Sequence, residues 1–439
     1  GEARAPDKGT NEERASERAS GLVGCVRPSG SAAGLSLSFR SSCVASDAAG
    51  ERFAPSERER ERGERKTFGT KKTMKSSASM TSLLGAHQDS GEMKVTVFGS
   101  GSFGMAMATL VARNGFDVVV LTRREEVAEG INTEHRNPTH LKEFKLPENL
   151  TATTDADVAL RNTSFIVHCI PLQSTKEYLE KMKDKIEPEV PIVSTSKGLH
   201  TETLEMMHEI IPNALGRKNH PVAFLSGPTF AQDIMSNTPS GAVLASHDIL
   251  MSRKLAHLFS GPTMRVYPSE DVIGVQVGGA LKNVIAILAG VAEGLGLGIN
   301  AVALLVTRGC REMNRLAVAM GGQEHTMNGL AGIGDLMLTC LGGLSRNKKV
   351  GIELGRGKKL TQILEERAQS LQGVAEGVAT TPAAVKLATR YRIPTPIMRM
   401  ADNLLRGEDD AANLLKDMMD APMLDDVSLE REFQAMKYW

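Results

Sequence analysis

Only five cysteines occur in 439 residues (Cys25, Cys43, Cys169, Cys310 and Cys340), and no two share a CxxC spacing. Neither a zinc site nor a disulfide framework is indicated, and the chain reads as intracellular. Histidines such as His135, His140 and His168 stand at no separation that ligates a metal, so no metal is expected. An excess of charge of either sign is also missing. The 52 basic and 52 acidic side chains cancel, which removes the electrostatic footprint of a nucleic-acid binder and leaves a small-molecule ligand as the expectation. Long apolar runs are lacking too: stretches such as 284–291 are broken by Gly, Glu or polar residues well short of the ~20 residues that cross a bilayer, so no membrane span is expected. The 21 methionines read as core filler or tail residues rather than as thioether ligands.

What the first part of the chain does contain is Ser, Gly, Arg and Glu. Residues 1–92 carry few apolar side chains at any helical or strand period, so they bury too little surface to offset ordering entropy, and an extension without fixed structure is predicted. A transit peptide is Arg- and Ser-rich but poor in acids, whereas Glu51, Glu57, Glu59, Glu61 and Glu64 interleave with the arginines here. Residues 57–62 alternate Glu and Arg strictly, as translation of a GA repeat does, and residue 1 is Gly. On one reading part of this stretch is translated leader, with Met74, Met80 or Met93 as the start, and the protein is cytoplasmic. On others it is a solvated linker, or an imported segment that makes the protein plastidic.

From Lys94 the pattern changes. Lys94-Val95-Thr96-Val97-Phe98 is a short apolar run, followed by Gly99-Ser100-Gly101-Ser102-Phe103-Gly104 and then apolar residues at helical spacing. Strand, glycine turn and helix in that order suit a dinucleotide. The first glycine permits the turn, the second lets backbone approach a pyrophosphate, and the third lets helix pack on strand. The next strand, 117–121, ends without the carboxylate that would hold a ribose 2'-hydroxyl. Thr122, Arg123 and Arg124 follow instead, so NAD is expected with NADP as an alternative, Arg123 accepting a 2'-phosphate. Apolar runs at 165–170, 191–195 and 222–225 continue the alternation, which predicts an α/β fold with a doubly wound, mostly parallel sheet. Beyond about 272 helical stretches take over, as at 280–293, 301–320 and 361–369. The length allows two folded units, so the division predicted is an N-terminal extension (1–92), a Rossmann-type domain (93–271), an all-α substrate domain (272–424) and a tail (425–439). A cleft between the two domains is the expected site.

Six ordered motifs now matter together: Gly99-Ser-Gly-Ser-Phe-Gly104, Ser196-Lys197-Gly198, Ser226-Gly227-Pro228-Thr229-Phe230-Ala231, Gly278-Gly279-Ala280-Leu281-Lys282-Asn283, Gly332-Ile333-Gly334-Asp335-Leu336 and Ser345-Arg346-Asn347. In wording and order they resemble the NAD(P)-dependent sn-glycerol-3-phosphate dehydrogenases, most closely the bacterial and plastid type. The resemblance runs from Met93 to about Met423.

The resemblance implies roles that each side chain is chemically able to fill. Lys282 is the implied proton donor when the carbonyl of dihydroxyacetone phosphate is reduced, Asp335 its partner, and Lys197 a second cation that contacts substrate and cofactor. A carboxylate beside Lys282 raises its pKa, so desolvation and other cations must supply the opposite push. Arg346 and Asn347 suit the substrate phosphate, with Arg346 also close to the cofactor, and Asn283 and Thr339 complete the substrate pocket. The cofactor set comprises Gly99, Gly101, Ser102, Phe103, Gly104, Arg123, Lys197, Gly227, Thr229, Ala231, Arg346 and Glu376. Lys348 and Lys349 read as a solvated basic face. Members of the family are commonly homodimers, although no interface signature is visible in the chain. Two other readings remain: a 3-hydroxyacid or 6-phosphogluconate-type dehydrogenase, which binds a carboxylate, and a dinucleotide sensor that has lost catalysis.

Overall fold

A computed structural model describes residues 93–369 and 375–414, together with 416 and 419, all within one compact unit. The predicted extension (1–92) and tail (425–439) lie outside the described residues.

The first half is one eight-stranded sheet. Its strands are β1 (Lys94–Phe98), β2 (Asp117–Leu121), β3 (Leu150–Thr153), β4 (Thr163–His168), β5 (Ile192–Ser194), β6 (Val222–Ser226), β7 (Ser240–Ala245) and β8 (Met264–Ser269), in the order β3-β2-β1-β4-β5-β6-β7-β8. All neighbours are parallel except β6 and β7. The order reverses between β1 and β4, and at such a switch point a crevice opens beyond the carboxyl ends of the strands. Central strands read as unbroken apolar runs because both faces are covered. One face packs with the helices Ser102–Arg113 and Ile249–Phe259, the other with Leu172–Met182 and Met207–Leu215. The doubly wound, mostly parallel sheet predicted from the sequence is present. β3, β7 and β8 had no strand signal strong enough to be read, since β3 is short with an exposed Thr151, and Gly241 and Pro268 interrupt β7 and β8.

Helices make up the rest. The longest, Val272–Gly294, begins earlier than its sequence suggests. Asp271 caps it by accepting from the Gly274 amide at 2.8 Å, and Gly274, Gly278 and Gly279 then lie inside the helix rather than at a turn. Close approach explains them: an ideal Cβ on Gly278 would stand 2.2 Å from the Ala331 carbonyl oxygen. By length and composition this helix is apolar enough to cross a membrane, against the expectation that no stretch reaches that length. In the fold it is a core helix, with 94% of its most apolar window buried inside the protein.

Glycines also set how closely the helix Arg346–Gly355 lies on it. An ideal Cβ on Gly351 would come within 1.9 Å of the Ile287 oxygen, and one on Gly290 within 2.1 Å of the Lys348 oxygen. Gly351→Ala is therefore expected to push the two helices apart and to destabilise the protein by ~1–3 kcal/mol, the usual cost of overpacking. Gly343→Ala, where nothing lies within 4 Å of the added carbon, serves as the control. Urea melts of the two variants check this, and equal midpoints would dismiss the close-packing account.

Candidate active site

The glycine turn is built as its spacing requires. Gly99 adopts φ +104°, and a Cβ on Gly104 would sit 2.1 Å from the Gly99 carbonyl oxygen, so only glycine lets the helix start this close to the strand end. The helix Ser102–Arg113 begins at Gly101 with no side-chain cap and no acidic residue in its first turn. Its first amides thus have no side-chain acceptor, and the helix dipole favours an anion there. The turn fits a dinucleotide pyrophosphate. Ser102 and Phe103 are half-buried at the helix start. At the end of β2, Thr122 Oγ1 meets Ser100 Oγ at 2.8 Å. Arg123 is exposed there, close enough to Tyr178 to oppose the upward push of burial on that phenol. Arg124 instead donates to Thr139 Oγ1 at 2.7 Å.

The lysines come together through one carboxylate. Lys282 Nζ lies 2.5 Å from Asp335 Oδ1, and Lys197 Nζ lies 2.7 Å from Asp335 Oδ2 and 3.4 Å from the Gly227 carbonyl oxygen. Asp335 is fully buried, whereas the Lys282 and Lys197 side chains retain 10% and 15% exposure. Three different elements supply the groups. Lys197 sits in the turn after β5, Lys282 stands midway along Val272–Gly294, and Asp335 follows a π-helical turn, Leu330–Gly334.

Burial is the main cause that pulls the Lys282 pKa down to about 8. Asp335 opposes it and the Lys197 charge adds to it, which is the balance the sequence required of this pair. Two cations on one anion leave a net positive charge, favourable for a developing alkoxide and for a phosphate.

Around this core, Asn283 is buried beside Lys282, and a Cβ on Gly377 would meet its carbonyl oxygen at 2.8 Å. Asn347 Oδ1 accepts from the Gly377 amide at 2.9 Å, which holds the side chain and leaves its NH2 group as a donor. Arg346 opens the helix Arg346–Gly355 and is exposed. The neighbouring Ser345 caps that helix by accepting from the Lys348 amide at 3.2 Å. Burial raises the pKa of Glu376, opposed in order by Arg346, Lys197 and Lys282, so all four share one electrostatic neighbourhood. Thr339 is buried and spends its hydroxyl proton on the Asp335 carbonyl oxygen at 2.6 Å, leaving it only acceptor capacity. Thr229 Oγ1 donates to the Gly227 oxygen at 3.1 Å, and a Cβ on Gly227 would lie 2.7 Å from Ala242 Cα. Ala231 starts the next short helix and packs on the sheet core.

One reading needs correction. Lys349 is solvated, but Lys348 is buried, donating to the Leu341 oxygen at 3.2 Å and pairing with Glu293 at 2.8 Å. It belongs to the packing under the Ser345 turn because it lies on the inward face of its helix. Sequence reasoning also passed over Ser226. Its hydroxyl is buried at the end of β6 without a partner and would touch a Cβ on Gly279 at 2.8 Å, beside the Lys197 stem. Its place in the Ser226-Gly227-Pro228-Thr229 motif was the available signal. Among the described residues no group of three or more His, Cys, Asp or Glu is placed to hold a metal.

Residues 94–252 match the family described as NAD-dependent glycerol-3-phosphate dehydrogenase N-terminus, and residues 271–416 match the corresponding C-terminus. The chain is 42% identical over 336 residues to a chloroplastic glycerol-3-phosphate dehydrogenase [NAD(+)] 2 of Arabidopsis thaliana, covering 76% of this chain and 79% of that protein. It is 45% identical over 328 residues to the glycerol-3-phosphate dehydrogenase [NAD(P)+] of Desulfovibrio desulfuricans, covering 75% and 97% respectively. The crystal structure of glycerol-3-phosphate dehydrogenase from Coxiella burnetii superposes with a TM-score of 0.70 at 32% identity, over 75% of this chain and 99% of that one. With both halves of the family pattern present, the chain belongs to the NAD-dependent glycerol-3-phosphate dehydrogenase family.

Proposed function

We propose that the chain interconverts dihydroxyacetone phosphate and sn-glycerol 3-phosphate, with Lys282 giving and taking the proton at the substrate oxygen. The observation that carries this is the pair of ammonium groups on one buried carboxylate, with Lys197 in the turn that follows the carboxyl end of β5. The bound dinucleotide supplies or accepts the hydride. In the reductive direction Lys282 donates to the carbonyl oxygen while Lys197 stabilises the charge that grows there. Asp335 keeps both amines aimed at the same point. Arg346 and the amide of Asn347 bind the phosphate, and Asn283 and Thr339 line the remainder of the pocket.

Gly99, Gly101, Ser102, Phe103 and Gly104 hold the pyrophosphate. Gly227, Thr229, Ala231 and Glu376 line the nicotinamide end, where Lys197 and Arg346 face both ligands. This division of labour makes 93–271 the dinucleotide domain and 272–424 the substrate domain. Oxidation of each reduced cofactor by the chain from Met93, followed by absorbance, tests the reading: turnover with dihydroxyacetone phosphate is expected, and turnover only with 3-oxo acids, the ketones that correspond to 3-hydroxy acids, would overturn it.

Arg123 lies where a 2'-phosphate would stand if NADPH binds. Arg123→Asp is expected to move the NADPH/NADH ratio of kcat/KM toward NADH by about tenfold or more, since it deletes a phosphate partner and adds a repulsive carboxylate. An unaltered ratio would place this guanidinium outside the cofactor site. The working form we propose is a homodimer, supported by exposed Ile299, Leu304 and Val318 on the helix Gly298–Ala319. A monomer mass in sedimentation retires that reading. A cytoplasmic location is proposed, with plastid as the alternative supported by chloroplastic relatives; fractionation of the natural source decides between them.

A further inference from the structure

His168 ends β4, is wholly buried, and has no part in the reaction just described. Its carbonyl oxygen accepts from the Thr195 amide at 3.0 Å and from the Thr195 hydroxyl at 3.1 Å. Its ring meets two hydroxyls: Ser196 Oγ lies 3.3 Å from Nδ1, and Thr175 Oγ1 lies 3.4 Å from Nε2. Both residues that precede Lys197 are thus tied to this one histidine.

Hydrogen accounting assigns the tautomer. The Ser196 hydroxyl has one proton, and it donates that proton to the Ile170 carbonyl oxygen, an acceptor only, at 2.5 Å. The serine oxygen therefore faces the ring with lone pairs, so Nδ1 must carry the hydrogen and Nε2 must be the acceptor. Thr175 divides its single proton between Nε2 and the Pro171 oxygen 3.2 Å away. Burial pushes the ring pKa down to about 3, so the imidazole stays neutral at working pH.

On the far side of Lys197 comes Gly198, at φ +126° a residue of wide conformational freedom, and the next tether is one residue further on, where the Leu199 carbonyl oxygen accepts from Gln173 Nε2 at 2.8 Å. The tether that adjoins Lys197 directly is the one at Ser196, on its N-terminal side. We infer that His168 is a positioning residue: its Nδ1–H bond to Ser196 holds the turn that presents Lys197 to Asp335 and to the substrate carbonyl. The inference rests on Lys197 acting at that carbonyl.

His168→Gln moves the side-chain donor to the Nε2 place, whereas His168→Asn keeps an N–H near the Nδ1 place. His168→Gln and Ser196→Ala are expected to lower kcat/KM for dihydroxyacetone phosphate by ~10- to 100-fold, the scale of a misplacement of about an ångström. His168→Asn restores most of that loss. Dinucleotide Kd stays unchanged throughout. The double variant that combines His168→Gln with Ser196→Ala loses no more than either single change, as expected of two ends of one bond.

Ring nitrogen NMR shifts in the unmodified protein should report Nδ1–H. Wild-type rates in Ser196→Ala, or an Nε2–H ring, would overturn the inference, and Ser196→Ala carries the comparison should His168→Gln fail to fold. A Lys197→Met variant separates the two levels. Wild-type kcat/KM in it removes the role given to Lys197 and this inference with it, while a loss there beside wild-type rates in Ser196→Ala removes the inference alone.

Discussion

Lys282→Ala is expected to lower turnover of dihydroxyacetone phosphate by ~10²- to 10⁴-fold while dinucleotide still binds, the range for a positioned acid that also stabilises charge. The variant should fold, because Asp335 keeps Lys197 as a partner at 2.7 Å. The direction of the pH dependence follows from the amine. With its pKa drawn down to about 8 by burial, Lys282 is mostly protonated at neutral pH and loses its proton as pH rises through about 8. Ketone reduction needs the ammonium, so kcat/KM for reduction falls through that window. Oxidation of the alcohol needs the free amine and rises through it. In Lys282→Ala both limbs should disappear, and Lys282→Arg should keep the charge without the titration, since a guanidinium does not deprotonate in this range. Stopped-flow and steady-state rates from about pH 6 to 10 provide the check; undiminished turnover in the alanine variant would strip Lys282 of its role.

Asp335→Asn should be the more damaging change to the fold. Two ammonium groups share this one carboxylate in a site it occupies with no exposure of its own, and an amide leaves both cations facing each other without an anion. Removing one member of a buried ion pair costs about 3–5 kcal/mol, mostly for the charge left behind. The same change takes away the group that holds the Lys282 pKa up, while Lys197 and burial continue to press it down. The pH midpoint for reduction should therefore move below about 8. Urea melts at pH 7 together with the pH–rate curve measure both effects. An unmoved midpoint with unchanged stability is incompatible with the shared carboxylate described above.

How much of this was readable beforehand depends on how far apart in sequence the interacting groups lie. The glycine turn was legible because it is a local device: Gly99, Gly101 and Gly104 lie within one strand-to-helix junction, and their φ and packing demands are set by immediate neighbours. β1, β2 and β4 were legible because continuous burial leaves an apolar run. β7 and β8 were not, since a glycine, a proline and exposed positions blur their pattern at one side of the sheet. The start of the helix Val272–Gly294 was misplaced because glycine signals a turn when read locally, and only the backbone of Ala331 pressing on Gly278 gives it another purpose. Lys348 was misjudged because the charge pattern of a helix does not say which face is inward until its partner helix is known.

The sequence by itself determined the dinucleotide turn and the change from alternating strands to helices, because each depends on neighbours a few positions away, and its six ordered motifs carried the resemblance that implied the residues for proton transfer and phosphate binding. Tertiary structure alone decided that Lys282 and Asp335, separated by 53 positions, and Lys197 and Asp335, separated by 138, meet at one point. It also decided that the meeting place is dry enough to draw the amine of Lys282 down to about 8. Desolvation is a property of everything packed around a group, and no stretch of chain carries it alone.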